Sequence, residues 1–281
     1  MNIHTYLKII LLFIMISCKK EAPEVKNVYV ANMTPTEFRQ RLADCPIAYL
    51  PLGTIEWHGE HLPLGTDMLI PLNFFELLAE ELGGIVYPSL FLGPDMHQNI
   101  EGKDYYGMDI QRKDKKGDSL PPRQLEGSSY WVSDSIFKSI LENVLMHIQR
   151  NGFKILVAHG HGPSGGMVAK YTEEFEKKFN LKIFVCWGYM SGEKWNKMDQ
   201  DGLGIMVDHA AANETSLMMH FVPQFVKMNQ LSPDTEIWPE AILGKDPREF
   251  ANPELGKKII LMQKDRMIQL LKDELKNCSK K

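Results

Sequence analysis

The amino-acid sequence predicts an α/β fold with a mainly parallel sheet. Apolar runs of strand length occur at residues 47–58, 85–92, 154–159 and 181–189. They alternate along the chain with segments whose apolar residues recur at helical spacing. Strands and helices that alternate in this way form parallel sheets with helices packed against them. In such sheets a binding or active site lies at the carboxyl ends of the strands.

The first predicted helix begins at Thr34. Thr34 is a preferred N-cap residue, Pro35 suits the first helical position, and Glu37 stands three residues after the cap, where it completes a capping box. The first strand, residues 47–58, is nearly continuous in apolar residues, which is typical of a strand buried on both faces. A helix over residues 69–82 follows, and the two glycines directly after it indicate its end.

The later elements follow the same alternation. Ser133 caps a strongly amphipathic helix over residues 134–152. A glycine-rich turn after strand 154–159 leads into a helix that ends near Phe179, and further helices are predicted at residues 214–222 and 253–277. Residues 93–127 are polar and long for a connection in a compact domain, so this segment is either disordered or an active-site loop.

The first residues have the pattern of an export signal. Lys8 precedes an apolar run from Ile9 to Ile16, which is too short to span a bilayer but has the length of a signal-peptide core. The small Ser17 before Cys18 resembles a bacterial lipoprotein processing site. We therefore expect residues 1–17 to be a lipoprotein-type signal peptide, Cys18 to carry acyl chains, residues 18–33 to form a polar tether, and residues 34–281 to form the domain. The protein would then be exported and anchored to a membrane.

The composition fits one large globular domain. The chain has 281 residues, of which 44% are hydrophobic, enough for a single large core. Its net charge of −4, with no long basic run outside the extreme C-terminus, argues against a nucleic-acid partner. The four cysteines form no C-x-x-C pair, which argues against a zinc knuckle and a dense disulfide framework.

Three separated segments concentrate histidines and carboxylates at predicted strand or loop ends. Glu56 and His58 are two residues apart, which would place them on one face of an extended strand. Unpaired buried charge is costly, so three such clusters are hard to explain by packing. Histidine, aspartate and glutamate are the ligands that zinc-like and manganese-like ions take. The candidates are Glu56, His58, Asp67, His159, His161, Asp208, His209 and Glu214, whereas His97, His147 and His220 are expected to be ordinary solvated or hydrogen-bonded residues.

The first cluster, GTIEWHGEHLPLGTD at residues 53–67, resembles the signature of the creatininase (creatinine amidohydrolase) family. Later pieces match in the family order: HGHGPS at residues 159–164 and HAAANETS at residues 209–216. The segment Gly127-Ser128-Ser129 also resembles the Gly-Thr-x segment that precedes the family's long helix.

The resemblance implies a three-layer α/β/α fold, commonly assembled into hexamers. It also implies two divalent ions per subunit, Zn²⁺ and/or Mn²⁺ with Fe²⁺ as a further choice. The family's metal ligands fall on Glu56, His58, Asp67 and His161, with Asp67 as the bridge between the ions. His209 falls on the position proposed as proton donor, and Glu214 would either complete the second ion's ligands or orient His209.

The sequence departs from the family pattern at three positions. Trp57 replaces the usual glutamine, and His159 replaces asparagine. Pro163 stands where creatininase proper has a glutamate ligand, and proline cannot ligate. The second ion would then depend on Glu214 or on water, and creatinine itself becomes doubtful as the substrate.

These observations predict a metal-dependent amidohydrolase that cleaves an amide or cyclic amide of a small substrate through a metal-bound hydroxide.

Glu60 and His61 are expected to lie behind the ligands or at the mouth of the site. Substrate contacts are expected from His159, Trp187 and Trp195. Residues 93–127, with His97, Tyr105 and Tyr106, are the candidate specificity lid. The alternatives are a deformylase or peptidase-like hydrolase on the same scaffold and a catalytically silent, surface-tethered binding protein.

Overall fold

The computed structural model describes residues 27–186 and 208–278. Four parallel strands form the central sheet, and an antiparallel hairpin lies apart from it. In chain order the strands are β1 (Ile47–Leu52), β2 (Ile85–Val86), β3 (His97–Ile100), β4 (Lys103–Tyr106), β5 (Ile155–Gly160) and β6 (Lys182–Val185). The central sheet has the order β2-β1-β5-β6, and β3 and β4 form the hairpin.

Helices cover both faces of the sheet. They are α1 (Pro35–Asp44), α2 (Thr66–Glu81), α3 (Asp134–Arg150), α4 (Gly162–Lys170), α5 (Thr172–Phe179), α6 (Ala212–Phe221), α7 (Pro247–Phe250) and α8 (Pro253–Cys278). Within the described part of the chain, no helix has both the length and the apolar character needed to cross a membrane.

The residues of β1 divide the core into two layers because successive side chains of a strand point to opposite faces. Ile47 and Tyr49 pack with α2, α6 and α8 in one buried cluster. Ala48, Leu50 and Leu52 pack with α3, α4 and α5 in the other. Every residue of β1 is buried, as its continuous apolar sequence predicts. The three-layer α/β/α fold with a parallel sheet is therefore confirmed.

Several boundaries differ from the sequence prediction. The strand predicted over residues 47–58 ends at Leu52, so Glu56 and His58 lie in a loop and not on one face of a strand. The strand predicted over residues 85–92 is regular only at β2, because Pro88 has no backbone N–H to continue the ladder. The helix predicted through Phe179 is two helices, α4 and α5.

Other elements agree closely with their sequence signals. Thr34 forms the expected capping box with Glu37 at the start of α1, and the Ser133 side chain accepts the N–H of Ile136 at the start of α3. Helix α2 begins at Thr66, three residues earlier than predicted. This places Asp67 in its first turn, where the helix dipole favours a carboxylate.

Residues 93–127 form an ordered loop that carries the β3–β4 hairpin and is anchored to the rest of the domain. Arg112 pairs with Glu240 and also donates to the backbone carbonyl of Pro121. Arg123 contacts the same Glu240 carboxylate at 3.0 Å. Met108 and Leu125 of this loop are buried against Trp57. Of the two predicted alternatives, a disordered segment or an active-site loop, the structure favours the second, because Asp95, Met108 and Gln111 of this loop line the cavity at the candidate site.

Candidate active site

The site forms where β1 and β5 end side by side. Leu52 pairs with Gly160 at the last position of the ladder, so the chain leaves both strands at the same edge of the sheet. A Cβ on residue 160 would lie 1.5 Å from the Leu52 carbonyl oxygen. Glycine at position 160 therefore lets the chain pass close to the Leu52 carbonyl. The N–H of the next residue, His161, donates to that carbonyl at 2.9 Å.

The loop after β1 folds back onto the strand end. The Glu56 N–H donates to the Leu64 carbonyl at 3.0 Å, and the Thr66 hydroxyl donates to the Pro63 carbonyl at 2.7 Å. This return places Asp67, at the start of α2, beside Glu56.

Glu56, Asp67 and His161 form the first possible metal-ligand group. His161 Nδ1 lies 3.2 Å from Asp67 Oδ2 and 3.3 Å from Glu56 Oε2. All three residues are buried. Two of the three predicted segments, residues 53–67 and the turn after β5, thus converge in this group.

His58, Asp67 and Glu214 form a second group. His58 Nε2 lies 3.7 Å from Asp67 Oδ1 and 3.7 Å from Glu214 Oε2. The other ring nitrogen, Nδ1, lies 3.0 Å from the Glu56 carbonyl oxygen and donates to it. This hydrogen bond fixes the ring so that Nε2 faces the two carboxylates, an arrangement that is usual for histidines that bind metals.

The described residues fit divalent metal. His58 Nε2 is buried without a hydrogen-bond partner, and such an atom is costly to bury unless something binds it. Imidazole nitrogens and carboxylate oxygens are the donor set of zinc-like and manganese-like ions. Asp67 belongs to both groups, through Oδ2 on one side and Oδ1 on the other. A third possible group, Glu56, His58 and His209, overlaps the first two.

In the metal-free protein the two histidines are protonated, and their positive charges face the carboxylates. Burial lowers the pKa of His58, but the Asp67 and Glu214 carboxylates outweigh it and raise that pKa to about 10. Burial also opposes the charge on His161, yet Glu56 and Asp67 raise its pKa well above the usual value. Burial would raise the pKa of Asp67, but His58 and His161 hold it well below its usual range. Asp67 is therefore an anion between two imidazolium rings.

The two outer carboxyl groups are held partly protonated by burial. It raises the pKa of Glu56 to about 7 and that of Glu214 to about 8. Glu214 Oε2 also accepts the Ala210 N–H at 2.6 Å, which fixes the side chain. Asp208 accepts the N–H groups of Asn213 and Glu214 at the start of α6, so it acts as a helix cap and holds the ligand-bearing turn.

His209 contacts the site as a neutral imidazole. Its Nε2 lies 2.6 Å from the Trp57 carbonyl oxygen, so Nε2 carries the proton. Nδ1 lies 4.0 Å from Glu56 Oε2, and the ring stacks on His58 with centroids 4.2 Å apart. Burial lowers the pKa of His209 to about 3. At neutral pH this residue must accept a proton at Nδ1 before it can donate one.

A cavity of about 290 Å³ opens beside the two ligand groups. That volume suits a small molecule. His159, the predicted substrate contact, lies in its wall together with Met108, Gln111 and Pro163. Burial lowers the pKa of His159 to about 3, so its ring is neutral as well.

The remaining predicted residues have varied positions. His61 is buried behind the ligands, with Nε2 2.8 Å from the Thr215 hydroxyl of α6, whereas Glu60 is exposed. His97, Tyr105 and Tyr106 lie in the hairpin and are not among the described residues that line the cavity. Trp187, Trp195 and Cys18 lie outside the described residues.

Sequence reasoning missed Asp95. Its side chain is only 3% exposed and Oδ2 lies 3.5 Å from His161 Nε2. The residue belongs to the loop of residues 93–127, whose length and polarity indicate a role for the segment without singling out Asp95. A loop aspartate gives no sequence signal of burial, so only the fold could reveal it.

This fold and site define a three-layer α/β/α domain with a candidate metal centre at the carboxyl edge of its parallel sheet. The chain belongs to the creatininase family, described as creatinine amidohydrolase, whose model matches residues 31–112 and 117–271. This membership confirms the resemblance found in the sequence. It also confirms the predicted enzyme class, a hydrolase acting on carbon–nitrogen bonds.

Two characterised relatives are similar over most of the chain. A creatinine amidohydrolase of Pseudomonas putida is 23% identical over 244 residues, which cover 81% of this chain and 85% of that protein. A 3-dehydro-scyllo-inosose hydrolase of Thermotoga maritima is 24% identical over 217 residues, which cover 75% of this chain and 61% of that protein. The two relatives act on different compounds by name, so similarity at this level leaves the substrate open.

Solved creatininase structures share the fold. One crystal structure of creatinine amidohydrolase has a TM-score of 0.65 at 19% identity, with 89% of this chain and 98% of that chain covered. Others include a manganese form, with a TM-score of 0.64 at 19% identity and coverage of 88% and 98%, and a mutant of Zn–Zn type with the same values.

Proposed function

We propose that this protein is a metal-dependent amidohydrolase that cleaves the C–N bond of an amide or cyclic amide in a small substrate. The observation that supports it best is the pair of ligand groups that share Asp67 at the edge of the cavity. Burying three carboxyl groups and two histidines together is costly, and binding of divalent metal by these ligands would offset that cost.

Two divalent ions would be held by this chain, one by Glu56, Asp67 and His161 and the other by His58, Asp67 and Glu214. Zn²⁺ and Mn²⁺ both suit nitrogen and carboxylate donors. When bound, such ions activate water as a nucleophile near neutral pH and polarise a carbonyl group. Glu214 supplies the carboxylate that Pro163 cannot provide.

His209 is the proposed proton carrier. Its unprotonated Nδ1 faces the ligand groups while Nε2 is committed to the Trp57 carbonyl. Nδ1 would take a proton released by the attacking nucleophile and pass it to the leaving nitrogen. Proton transfer of this kind typically contributes about 10²–10⁴-fold to a rate.

The cavity wall suggests a substrate without strong negative charge. Its described residues include five carboxylates, on Glu56, Asp67, Asp95, Asp208 and Glu214, and neither lysine nor arginine. A phosphate or an additional carboxylate on the substrate would face these carboxylates and find neither lysine nor arginine among the described lining residues. An uncharged or cationic amide of small size is therefore favoured.

A second candidate is hydrolysis of a cyclic polyol ketone. The Thermotoga maritima relative is named for an inosose and is about as similar to this chain as the creatinine amidohydrolase is. A formamide or short peptide is a further substrate class on the same scaffold, and a metal-binding protein without turnover is the alternative outside catalysis.

Metal analysis followed by a substrate screen tests the proposal. The purified protein should contain Zn²⁺ or Mn²⁺ and hydrolyse at least one compound from a panel of cyclic amides including creatinine, formamides, short peptides and an inosose. An Asp67→Ala variant should show no turnover, and Asp104→Ala, at an exposed hairpin carboxylate, should match the parent. A protein that binds no divalent metal in any preparation would overturn the proposal.

We further propose an exported, membrane-anchored homo-oligomer, with Cys18 acylated and a tether that ends before Val28 and not at residue 33, because Val28 is buried in the core and its carbonyl accepts the Val86 N–H at 2.8 Å. The signal-like run before Cys18 supports the anchor. The family resemblance supports the oligomer and suggests a hexamer.

A further inference from the structure

A carboxylate outside the proposed ligand groups contacts one of their histidines. Asp95 Oδ1 accepts the Met96 N–H at 2.6 Å. Oδ2 is buried and lies 3.5 Å from His161 Nε2, with the Glu56 carboxyl group as its other polar neighbour. The environment of this oxygen is therefore not explained by the backbone turn that Asp95 forms.

Two glycines make room for this arrangement. A Cβ on residue 107 would lie 2.4 Å from Asp95 Oδ2 and 3.2 Å from Glu56 Oε1. A Cβ on residue 93 would lie 2.4 Å from the Ser164 hydroxyl and 3.4 Å from the His161 ring. A side chain at either position would collide with these neighbours. Glycine at both positions therefore lets the loop lie closer to the His161 ring than other residue types would.

The loop oxygens next to Nε2 orient the His161 ring. His161 Nε2 also lies 3.1 Å from the Pro94 carbonyl oxygen, while Nδ1 faces Glu56 and Asp67. Two oxygens on the Nε2 side favour a proton there, and the Nδ1 lone pair is then free for metal. A carboxylate that holds the far N–H of a ligand histidine typically raises metal affinity about 10–100-fold.

We propose that Asp95 is a positioning residue, which together with the Pro94 carbonyl holds His161 in the tautomer and orientation that bind a metal ion with Glu56 and Asp67. The inference rests on the proposed function, since it assumes that this group binds metal. It assigns to the 93–127 loop a role in metal affinity, beyond that of a cavity wall.

The test compares metal affinity in Asp95→Asn and in the parent protein. Asparagine keeps the acceptor for the Met96 N–H but removes the charge next to His161. Titration of metal-free protein with Zn²⁺ against a chromophoric chelator should show one ion bound about 10–100-fold more weakly. The Co²⁺-loaded protein should show a changed visible absorption spectrum. Asp104→Asn, at an exposed carboxylate of the same loop, should leave both readouts unchanged.

A second pair of variants reaches the same contact through the backbone. Gly107→Ala, at a φ of +50°, would push the Asp95 carboxylate aside and press on Glu56 Oε1, whereas Gly117→Ala, at a φ of +86°, has no atom within 4 Å of the new Cβ. Gly107→Ala should weaken Zn²⁺ binding as Asp95→Asn does, and Gly117→Ala should not. The melting temperature of each metal-free variant separates weakened binding from loss of the fold.

The outcomes distinguish this inference from the proposed function. If the parent protein binds Zn²⁺ and Asp95→Asn, folded when metal-free, binds both ions as tightly with the same Co²⁺ spectrum, Asp95 has no positioning role. If the parent itself binds no Zn²⁺ or Co²⁺, the proposed function fails and the inference fails with it.

Discussion

Metal loading should release protons, and the structure sets their number. At pH 7 the metal-free site holds a proton on His58, whose pKa is about 10, and on His161, whose pKa is well above its usual value. Glu214, with a pKa of about 8, is mostly protonated, and Glu56, near 7, is protonated in part. All four groups must lose these protons to ligate metal. Filling both groups at pH 7 should therefore release about three protons per chain.

Calorimetry measures this number directly. Zn²⁺ is titrated into metal-free protein at pH 7 in two buffers of different ionisation enthalpy, and the difference in observed heat gives the protons released. Release should decrease at higher pH, as Glu56 and then Glu214 lose their protons before metal arrives. His220→Ala, at an exposed histidine, is the matched control and should release as many protons as the parent.

A release close to zero at pH 7, with both ions bound, would refute the reasoning. It would mean that His58 and His161 are neutral in the metal-free protein, and that Asp67 is not the anion that holds them. Release of only one to two protons would indicate that just one of the two groups binds metal, because each group holds one protonated histidine and one partly protonated glutamate.

Four further results are expected. Asp67→Ala should lose bound metal and activity together, and elemental analysis with retained metal and full turnover would contradict its place in both groups. His209→Ala should keep its metal but lose about 10²–10⁴-fold in kcat, so a variant of unchanged kcat excludes the proton role. Above pH 7 the metal-free protein should lose thermal stability as the pH rises, because Glu214, with a pKa of about 8, and His58, with a pKa of about 10, hold protons in the folded protein that they have already lost in the unfolded chain. A Tm that stays constant or rises above pH 7, measured in the presence of chelator, would contradict this pH dependence. Cys18→Ala should move the protein from the membrane to the soluble fraction of cells. An unchanged distribution would contradict the proposal that Cys18 anchors it.

The fold was predictable because its signals are local. β1 is uniformly apolar and fully buried, and α1 and α3 carry cap residues in the expected places. The end of β1 was not predictable, since the apolar residues continue past Leu52 into the loop. Beyond Leu52 the chain turns back on itself, and the Glu56 N–H donates to the Leu64 carbonyl eight residues further on.

The candidate site was predictable to the extent that its residues cluster in sequence. Glu56, His58 and Asp67 share fifteen residues, and His161 follows a recognisable strand. Asp95 stands alone in a polar loop, where its type is common and its burial is invisible. The tautomer of His209 depends on a carbonyl oxygen 152 residues away, which no local pattern encodes.

The two ligand groups tie different parts of the fold together. Glu56, Asp67 and His161 join the loop after β1 to α2 and β5, which the sheet already holds in register. His58, Asp67 and Glu214 join the same loop to α6, which touches the loop through His61 and Thr215 but forms no part of the sheet. Metal at the second group would therefore join two elements that the sheet does not connect. If Glu214 supplies the ligand that Pro163 cannot, binding of a second ion would depend on how α6 docks, and removal of that ion should loosen α6 more than β5.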